Sequence, residues 1–221
     1  MKNLHKLLLL LALGLGGQLP AGAQVFEWAR LLRNEQNNTS VGQGATTDPA
    51  GNTYVASREG TIVKLDSTGR QLWNRPVRGL YFFLGSRSPM RADPVNGGFF
   101  VAAVLTPGAT WNGVPIPGAP PITGSPDAMA GFYGKCDANG TLVWARPYRA
   151  DPNGPPQMAV DGLGNCYLSG TFSNMFPRLT PSTLGGKTID STAAFLLGNN
   201  AAGIAEWVRR VRATPVPYVN I

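Results

Sequence analysis

The sequence predicts an all-β protein, a partial β-propeller of about three four-stranded blades. Two short elements recur along the chain, and each has the turn residues and alternating apolar residues of a β-hairpin or strand. Of its 221 residues, 28 are Gly and 19 are Pro, and only 14% are charged. No stretch after the N-terminal leader has a sustained helical period. This composition is typical of an all-β domain with many turns.

The first repeated element is a hairpin that leads into a Trp. An Asp or Asn lies seven positions before the Trp, a Gly four before it, and an Arg two after it. The copies contain Asp66, Gly69, Trp73 and Arg75; Asp137, Gly140, Trp144 and Arg146; and Asn200, Gly203, Trp207 and Arg209, with Trp28 and Arg30 as a partial copy. The spacing predicts a type I turn whose Gly has a positive φ.

Each residue type in this hairpin has an alternative interpretation. A calcium loop needs six to eight oxygen ligands, whereas here one carboxylate is followed at once by a Gly and a strand, which favours the turn. The four Trp residues are consistent with a sugar-binding platform, but their strict spacing from a turn favours packing between blades. The Arg residues would form a ring for an acidic partner, or lay their stems over apolar neighbours with the charge in water.

The second repeated element is an Asp-containing turn that enters a short strand, at residues 48–57, 93–102 and 161–170. The interval from each Trp to the next such Asp is 20, 20 and 17 residues. The later units carry an insertion after this strand, which holds Trp111 in one and Leu184 in the other. We expect Trp111 to be the best candidate for an exposed ligand contact, although its alignment with Leu184 favours packing.

These intervals define repeat units at about residues 24–77, 78–147 and 148–212, followed by a stub at 213–221. Units of this length with about four short strands are typical of propeller blades, which bury their faces only by stacking on neighbours. Three blades do not close a ring. We therefore expect the chain to be part of a larger propeller or to complete a ring by self-association.

The two elements together resemble the SBBP β-propeller repeat of exported Bacteroidetes proteins. That repeat has an Asp-x-x-Gly-Asn-x-Tyr turn and strand, then Lys-x-Asp-x-x-Gly-x-x-x-Trp, and the similarity spans about residues 25–212. It weakens in the last unit, where Gly198 and Asn200 replace the usual Lys and Asp. The resemblance implies export and a propeller fold.

The N-terminus predicts export on its own. Lys2 and Lys6 precede a short apolar run, and a small-residue site ends at Ala23, so residues 1–23 form a signal peptide with cleavage near Ala23. The mature protein would be secreted, periplasmic or on the cell surface, with no membrane span. Cleavage leaves 17 basic and 12 acidic residues without a basic patch, so we predict no nucleic-acid partner.

Few residues are available for chemistry in the mature chain. The single His, His5, leaves with the signal peptide, which excludes Ser-His-Asp and Cys-His nucleophiles and His-ligated metals. We predict no catalytic residue, metal or cofactor. Cys136 and Cys166 lie in consecutive units, and both a disulfide and two buried free thiols fit the sequence.

Three functional hypotheses follow. The first is a non-catalytic exported scaffold that binds a protein or glycan through its loops. The second is a polysaccharide hydrolase or lyase, which would need a pair of carboxylates at a fixed separation, and no such pair is recognisable. The third is a truncated, non-functional remnant of a longer propeller protein.

Overall fold

A computed structural model describes residues 29, 42–58, 60–81, 90–118, 130–148, 157–171, 182–184, 187–189 and 194–211. The predicted signal peptide at residues 1–23, Trp28, Arg30 and the predicted stub at 213–221 lie outside these ranges. All regular structure in the described residues is β-strand. The strands are β1 (Gly42–Thr47), β2 (Thr53–Ser57), β3 (Thr61–Leu65), β4 (Gln71–Tyr81), β5 (Met90–Ala92), β6 (Phe99–Trp111), β7 (Val114–Pro115), β8 (Ala130–Cys136), β9 (Leu142–Tyr148), β10 (Gln157–Val160), β11 (Cys166–Thr171), β12 (Ser182–Leu184), β13 (Lys187–Ile189), β14 (Ala194–Asn199) and β15 (Ala205–Val211).

Three four-stranded antiparallel meanders make up the fold. Blade 1 has the order β1-β2-β3-β4, blade 2 the order β5-β6-β8-β9, and blade 3 the order β10-β11-β14-β15. In each blade the pairing of the third and fourth strands shifts register at the same place, just before the hairpin turn. The repeated elements of the sequence therefore correspond to the repeated strands of the structure.

The insertion in blade 2 folds back between blades 1 and 2. After running along β8, strand β6 changes register and pairs its far end with the end of β4, so that Val77 faces Trp111. The short strand β7 continues this segment and places Ile116 in the same core. The insertion thus joins blades 1 and 2 into one curled sheet.

Two separate apolar cores lie between consecutive blades. One contains Tyr54 and Ile62 of blade 1 with Phe99 and Phe132 of blade 2. The other contains Phe100 and side chains of blade 3, such as Leu168 and Leu197. Successive side chains of the blade 2 strands point to opposite faces of the sheet, so this one sheet contributes side chains to both cores. The first strands β1, β5 and β10 lie next to one another in sequence order. The protein is therefore a partial β-propeller, as the sequence predicts.

Candidate functional site: the blade interfaces and the turn rim

The Asp-containing turns of blades 1 and 3 are tied by the same hydrogen bonds. Asp48 accepts hydrogen bonds from the Asn52 backbone N–H at 2.9 Å and from the Tyr54 hydroxyl at 3.0 Å. In blade 3, Asp161 accepts the Tyr167 hydroxyl at 2.9 Å. Burial alone would raise the pKa of Asp48, but the hydrogen bonds from Asn52 and Tyr54 outweigh it and hold that pKa below its usual value. These carboxylates therefore stabilise the turns by accepting hydrogen bonds within them.

Blade 2 uses a different partner for the equivalent Asp93. Phe100 replaces the Tyr in this blade and has no hydroxyl to donate. Instead, the Lys135 ammonium lies 2.8 Å from Asp93 Oδ2, while Val95 N–H donates to Oδ1 at 3.1 Å. Asp93 is fully buried, so this ion pair is the main compensation for the loss of water around the carboxylate. Sequence analysis did not identify this pair, although the missing Tyr was a visible signal.

The hairpins between the third and fourth strands have the predicted turn. Gly69, Gly140 and Gly203 have φ values of 78°, 77° and 73°. Each Gly donates its N–H to the carbonyl of the Asp or Asn three residues earlier. The side chain of that Asp or Asn accepts backbone N–H groups of the turn, as Asp137 does from Asn139 at 2.9 Å. The carboxylates in these hairpins are thus turn acceptors.

The repeated Trp residues pack on the hairpin of the next blade. Trp73 donates its Nε1–H to the Ala138 carbonyl at 3.1 Å, and a Cβ added at Gly140 would lie 2.8 Å from the Trp73 ring. Trp144 likewise packs on Gly203, with the corresponding distance 2.6 Å, but its buried Nε1–H has no hydrogen-bond acceptor among the described residues. Only Gly fits under each indole. Trp207, the equivalent residue of blade 3, lies over Gly198 of its own blade.

The repeated Arg residues also reach the next blade. Arg75 donates its Nε–H to the Asn139 carbonyl at 3.2 Å, and Arg146 donates to the Gly203 carbonyl at 3.1 Å. Each guanidinium also lies near the Trp of its own blade, at 5.3 Å and 5.7 Å from the ring centroid. The contact with the Trp agrees with the expected packing on apolar neighbours, but the hydrogen bonds to backbone carbonyls at a blade interface were not predicted from the sequence. Arg209 is exposed.

Trp111 is buried, so the expectation of an exposed ligand contact is wrong. Its exposed fraction is 3%, and its Nε1–H donates to the Gly140 carbonyl at 2.8 Å. Its ring packs against Phe99 and Phe132. The physical reason is the return path of the insertion, which carries Trp111 into the space between blades 1 and 2. Of the aligned residue Leu184, the structure describes the strand but not the side chain.

Both cysteines are free and buried, so the disulfide alternative is not formed. Cys136 belongs to the core between blades 1 and 2, and Cys166 belongs to the core between blades 2 and 3. The sheet of blade 2 separates the two side chains. Burial raises the pKa of Cys136 well above its usual value and that of Cys166 to about 12, which leaves both as unreactive thiols.

All these turns lie along one edge of the blades, which we call the turn rim. A Cβ added at Gly164 would lie 3.5 Å from Val95 Cγ2 of the preceding blade, so the turns of blades 2 and 3 touch. Val95 is 55% exposed and Leu163 is 75% exposed. These two side chains occupy the same position in their turns, and Ala50 holds it in blade 1. Sequence analysis missed this apolar pair.

Among the described residues, no group of three or more His, Cys, Asp or Glu side chains is close enough to hold a metal ion. The part of the chain that the structure describes also contains no helix long and apolar enough to cross a membrane. The acidic residues described above are occupied with turns and with one ion pair. The features of the site are therefore the blade interfaces and the exposed apolar pair on the turn rim.

No protein-family model matches this chain, and no curated protein matches it. Among solved structures, it is similar to BamB from Moraxella catarrhalis, with 16% identity and a TM-score of 0.26, over 78% of this chain and 68% of that chain. It is also similar to a protein of unknown function from Bacteroides caccae, with 11% identity and a TM-score of 0.27, over 78% of this chain and 82% of that chain. Because these TM-scores are low, the fold assignment rests on the strand order and the repeated blade contacts.

Proposed function

We propose that the protein is an exported, non-catalytic scaffold that binds another protein through its turn rim. The observation that carries this proposal is the exposure of Val95 and Leu163 on two turns that lie in contact with each other, each closed by its own hydrogen bonds. Exposed apolar side chains on a rigid support are a common feature of protein-binding surfaces. The turn bonds of Asp93 and Asp161 hold the two side chains in place, which lowers the entropy lost on binding.

The surroundings of this pair favour a protein over an acidic glycan or a nucleic acid. Pro94 and Asn96 flank Val95, and Gly162 precedes Leu163, so the exposed residues next to the pair in the sequence are uncharged. Binding to a polyanion depends on Lys and Arg side chains at the surface. The charge of Lys135 is turned inward to Asp93. An uncharged apolar pair is suited to an apolar patch on a protein.

The non-catalytic part of the proposal is supported by what the carboxylates do. Asp48 and Asp161 each accept several hydrogen bonds, which favour the charged form and lower their pKa values. A carboxyl group held in this way is a poor general acid, because a general acid must be protonated at the working pH. A glycan-cleaving enzyme would need a second, free carboxyl group beside it.

Site-specific photo-crosslinking in the producing cell tests the binding proposal. A photo-reactive residue at Leu163 should give a discrete crosslinked protein band that Val95→Asp abolishes. The matched control is the same residue at Arg58, which is exposed in the turn between β2 and β3, at the opposite end of β2 from the Asp48 turn. Equal crosslinking from both positions would contradict a specific rim. Cleavage of a polysaccharide by the purified protein would contradict the absence of catalysis.

Export requires its own experiment, because the signal peptide lies outside the described residues. We expect the protein in the culture medium or envelope fraction to begin at Gln24. Intact mass and N-terminal sequencing of that fraction test this directly. A protein that stays in the cytoplasm with residues 1–23 attached would contradict export.

A further inference from the structure

One face of blade 3 is exposed where the equivalent faces of blades 1 and 2 are covered. Ile62 in blade 1 and Tyr133 in blade 2 are 0% exposed, while the equivalent Leu196 in blade 3 is 37% exposed. Tyr54 is likewise fully buried, whereas its equivalent Tyr167 is only partly buried. We call the surface formed by Tyr167, Leu196, Gly198, Trp207 and Arg209 the open face.

The covered faces show which chemical groups such a face binds. In blade 1, the Trp73 indole donates to the carbonyl of Ala138, the residue after Asp137, and the Arg75 guanidinium donates to Asn139. At the next interface, Arg146 donates to the Gly203 carbonyl, while Trp144 packs on Gly203 and its Nε1–H has no acceptor among the described residues. At both interfaces, the Arg reaches a backbone carbonyl of an Asp/Asn-x-x-Gly turn.

The open face carries the same donors without an acceptor. Among the described residues, no group accepts a hydrogen bond from the Trp207 indole or the Arg209 guanidinium, and Arg209 is exposed. The pairing that positions them is the same as in the other blades, since Trp207 lies opposite Gly198 as Trp73 lies opposite Lys64. The open face differs in having no Lys, because Gly198 takes that place.

We propose that the open face binds the Asp/Asn-x-x-Gly hairpin of a further repeat unit, a fourth blade. Trp207 would cover the Gly of that hairpin and donate to the carbonyl two residues before the Gly, as Trp73 does. Arg209 would donate to the carbonyl of the Gly, as Arg146 does, or to that of the residue just before it, as Arg75 does. Leu196 would be buried by the apolar strands of the same unit. This inference concerns a different surface from the turn rim and does not depend on the proposed function.

A glycan is a weaker candidate for the open face. Trp207 and Tyr167 are aromatic, with ring centroids 6.1 Å apart and planes tilted by 37°. However, Tyr54 and Trp73 have nearly the same arrangement at 5.9 Å and 49°, and there the pair packs against protein. The aromatic geometry is therefore that of a blade interface.

The test uses the full chain and a head-to-tail cyclised peptide with the sequence of residues 131–146, in which Ser replaces Cys136. This peptide contains the Asp137–Gly140 turn, and cyclisation holds it as a hairpin. The control peptide carries Gly140→Val, which is strained because the native φ is +77°. Binding is measured by calorimetry and by the ¹H–¹⁵N signal of the Trp207 indole, assigned with Trp207→Phe.

The expected result is binding of the native hairpin with a shift of the Trp207 indole signal, and no binding of the control peptide. Arg209→Ala should weaken binding by about tenfold, because it removes a charged donor, while Arg58→Ala, at an exposed Arg of blade 1, should leave binding unchanged. Trp207→Phe should also weaken binding, and it replaces Arg209→Ala as the test variant if Arg209→Ala does not fold. Absence of binding, equal affinity for Arg209→Ala, or a shift caused by oligosaccharides alone would overturn the proposal.

Discussion

Replacement of Lys135 by Met tests how much the buried ion pair of blade 2 contributes to the stability of the protein. Asp93 is 0% exposed and lies 2.8 Å from the Lys135 ammonium, so the variant leaves a buried carboxylate without its cation. Removal of one partner of a buried pair costs about 3–5 kcal/mol of unfolding free energy. We expect Lys135→Met to lower the free energy of unfolding by this amount.

Lys64→Met is the matched control for this variant. Lys64 occupies the same position in blade 1, and its ammonium lies 5.1 Å from the Tyr54 ring, as that of Lys135 lies 5.1 Å from the Phe100 ring. The cation–π contribution therefore cancels in the comparison. Lys64 donates to the neutral Ala138 carbonyl, which keeps its second donor. Its charge also helps to lower the pKa of Asp48, but that carboxylate keeps its hydrogen bonds from Asn52 and Tyr54, so this variant should cost only about 1.5 kcal/mol.

Urea unfolding followed by circular dichroism measures both costs, and urea leaves ion pairs unscreened. The double variant Asp93→Asn/Lys135→Met should regain most of the loss, because the amide oxygen can still accept the Val95 N–H. The reasoning is refuted if Lys135→Met costs no more than Lys64→Met. It is also refuted if the double variant is no more stable than Lys135→Met alone.

Three further outcomes are expected. Tyr54→Phe should lower the free energy of unfolding by about 2–3 kcal/mol, because the Tyr54 hydroxyl donates to Asp48 and accepts a backbone N–H of blade 2. Tyr167→Phe should lower it much less, because the Tyr167 hydroxyl bonds only within its own turn. Comparison of the two urea midpoints tests this. Folding lowers the pKa values of Asp48 and Asp161, so the unfolded chain binds more protons in acid than the folded chain does. The free energy of unfolding should therefore be constant above about pH 5 and decrease as the pH falls below 3.8, the usual pKa of Asp. Thermal melts at a series of pH values test this. Both thiols should resist iodoacetamide until the protein is denatured, as intact mass would record, and rapid native alkylation would contradict their burial.

Most of the architecture follows from residues whose spacing is visible in the sequence. Gly69, Gly140 and Gly203 occupy left-handed turn positions, and Trp73 and Trp144 cover the Gly of the next blade. One physical requirement explains this spacing, since an indole lies flat on a turn only where no side chain intervenes. The period of the repeat therefore predicted the blades correctly.

The remaining features depend on contacts between residues distant in sequence. Trp111 lies outside the repeat register, and its burial follows from the pairing of β6 with β4, which no local pattern shows. The ion pair of Asp93 with Lys135 likewise joins the turn after β5 to strand β8, which lie 42 residues apart in the sequence. Val95 and Leu163 became a candidate surface only when the structure brought their turns together.

The central claim is that three equivalent blades form an arc, and pulsed electron–electron spin resonance tests it most directly. Spin labels at Leu72, Val143 and Glu206 occupy the same position in the three blades, and all three side chains are exposed. An arc predicts equal distances for the pairs 72–143 and 143–206, and a 72–206 distance clearly shorter than their sum. Two unequal distances, or a 72–206 distance equal to the sum, would contradict the propeller.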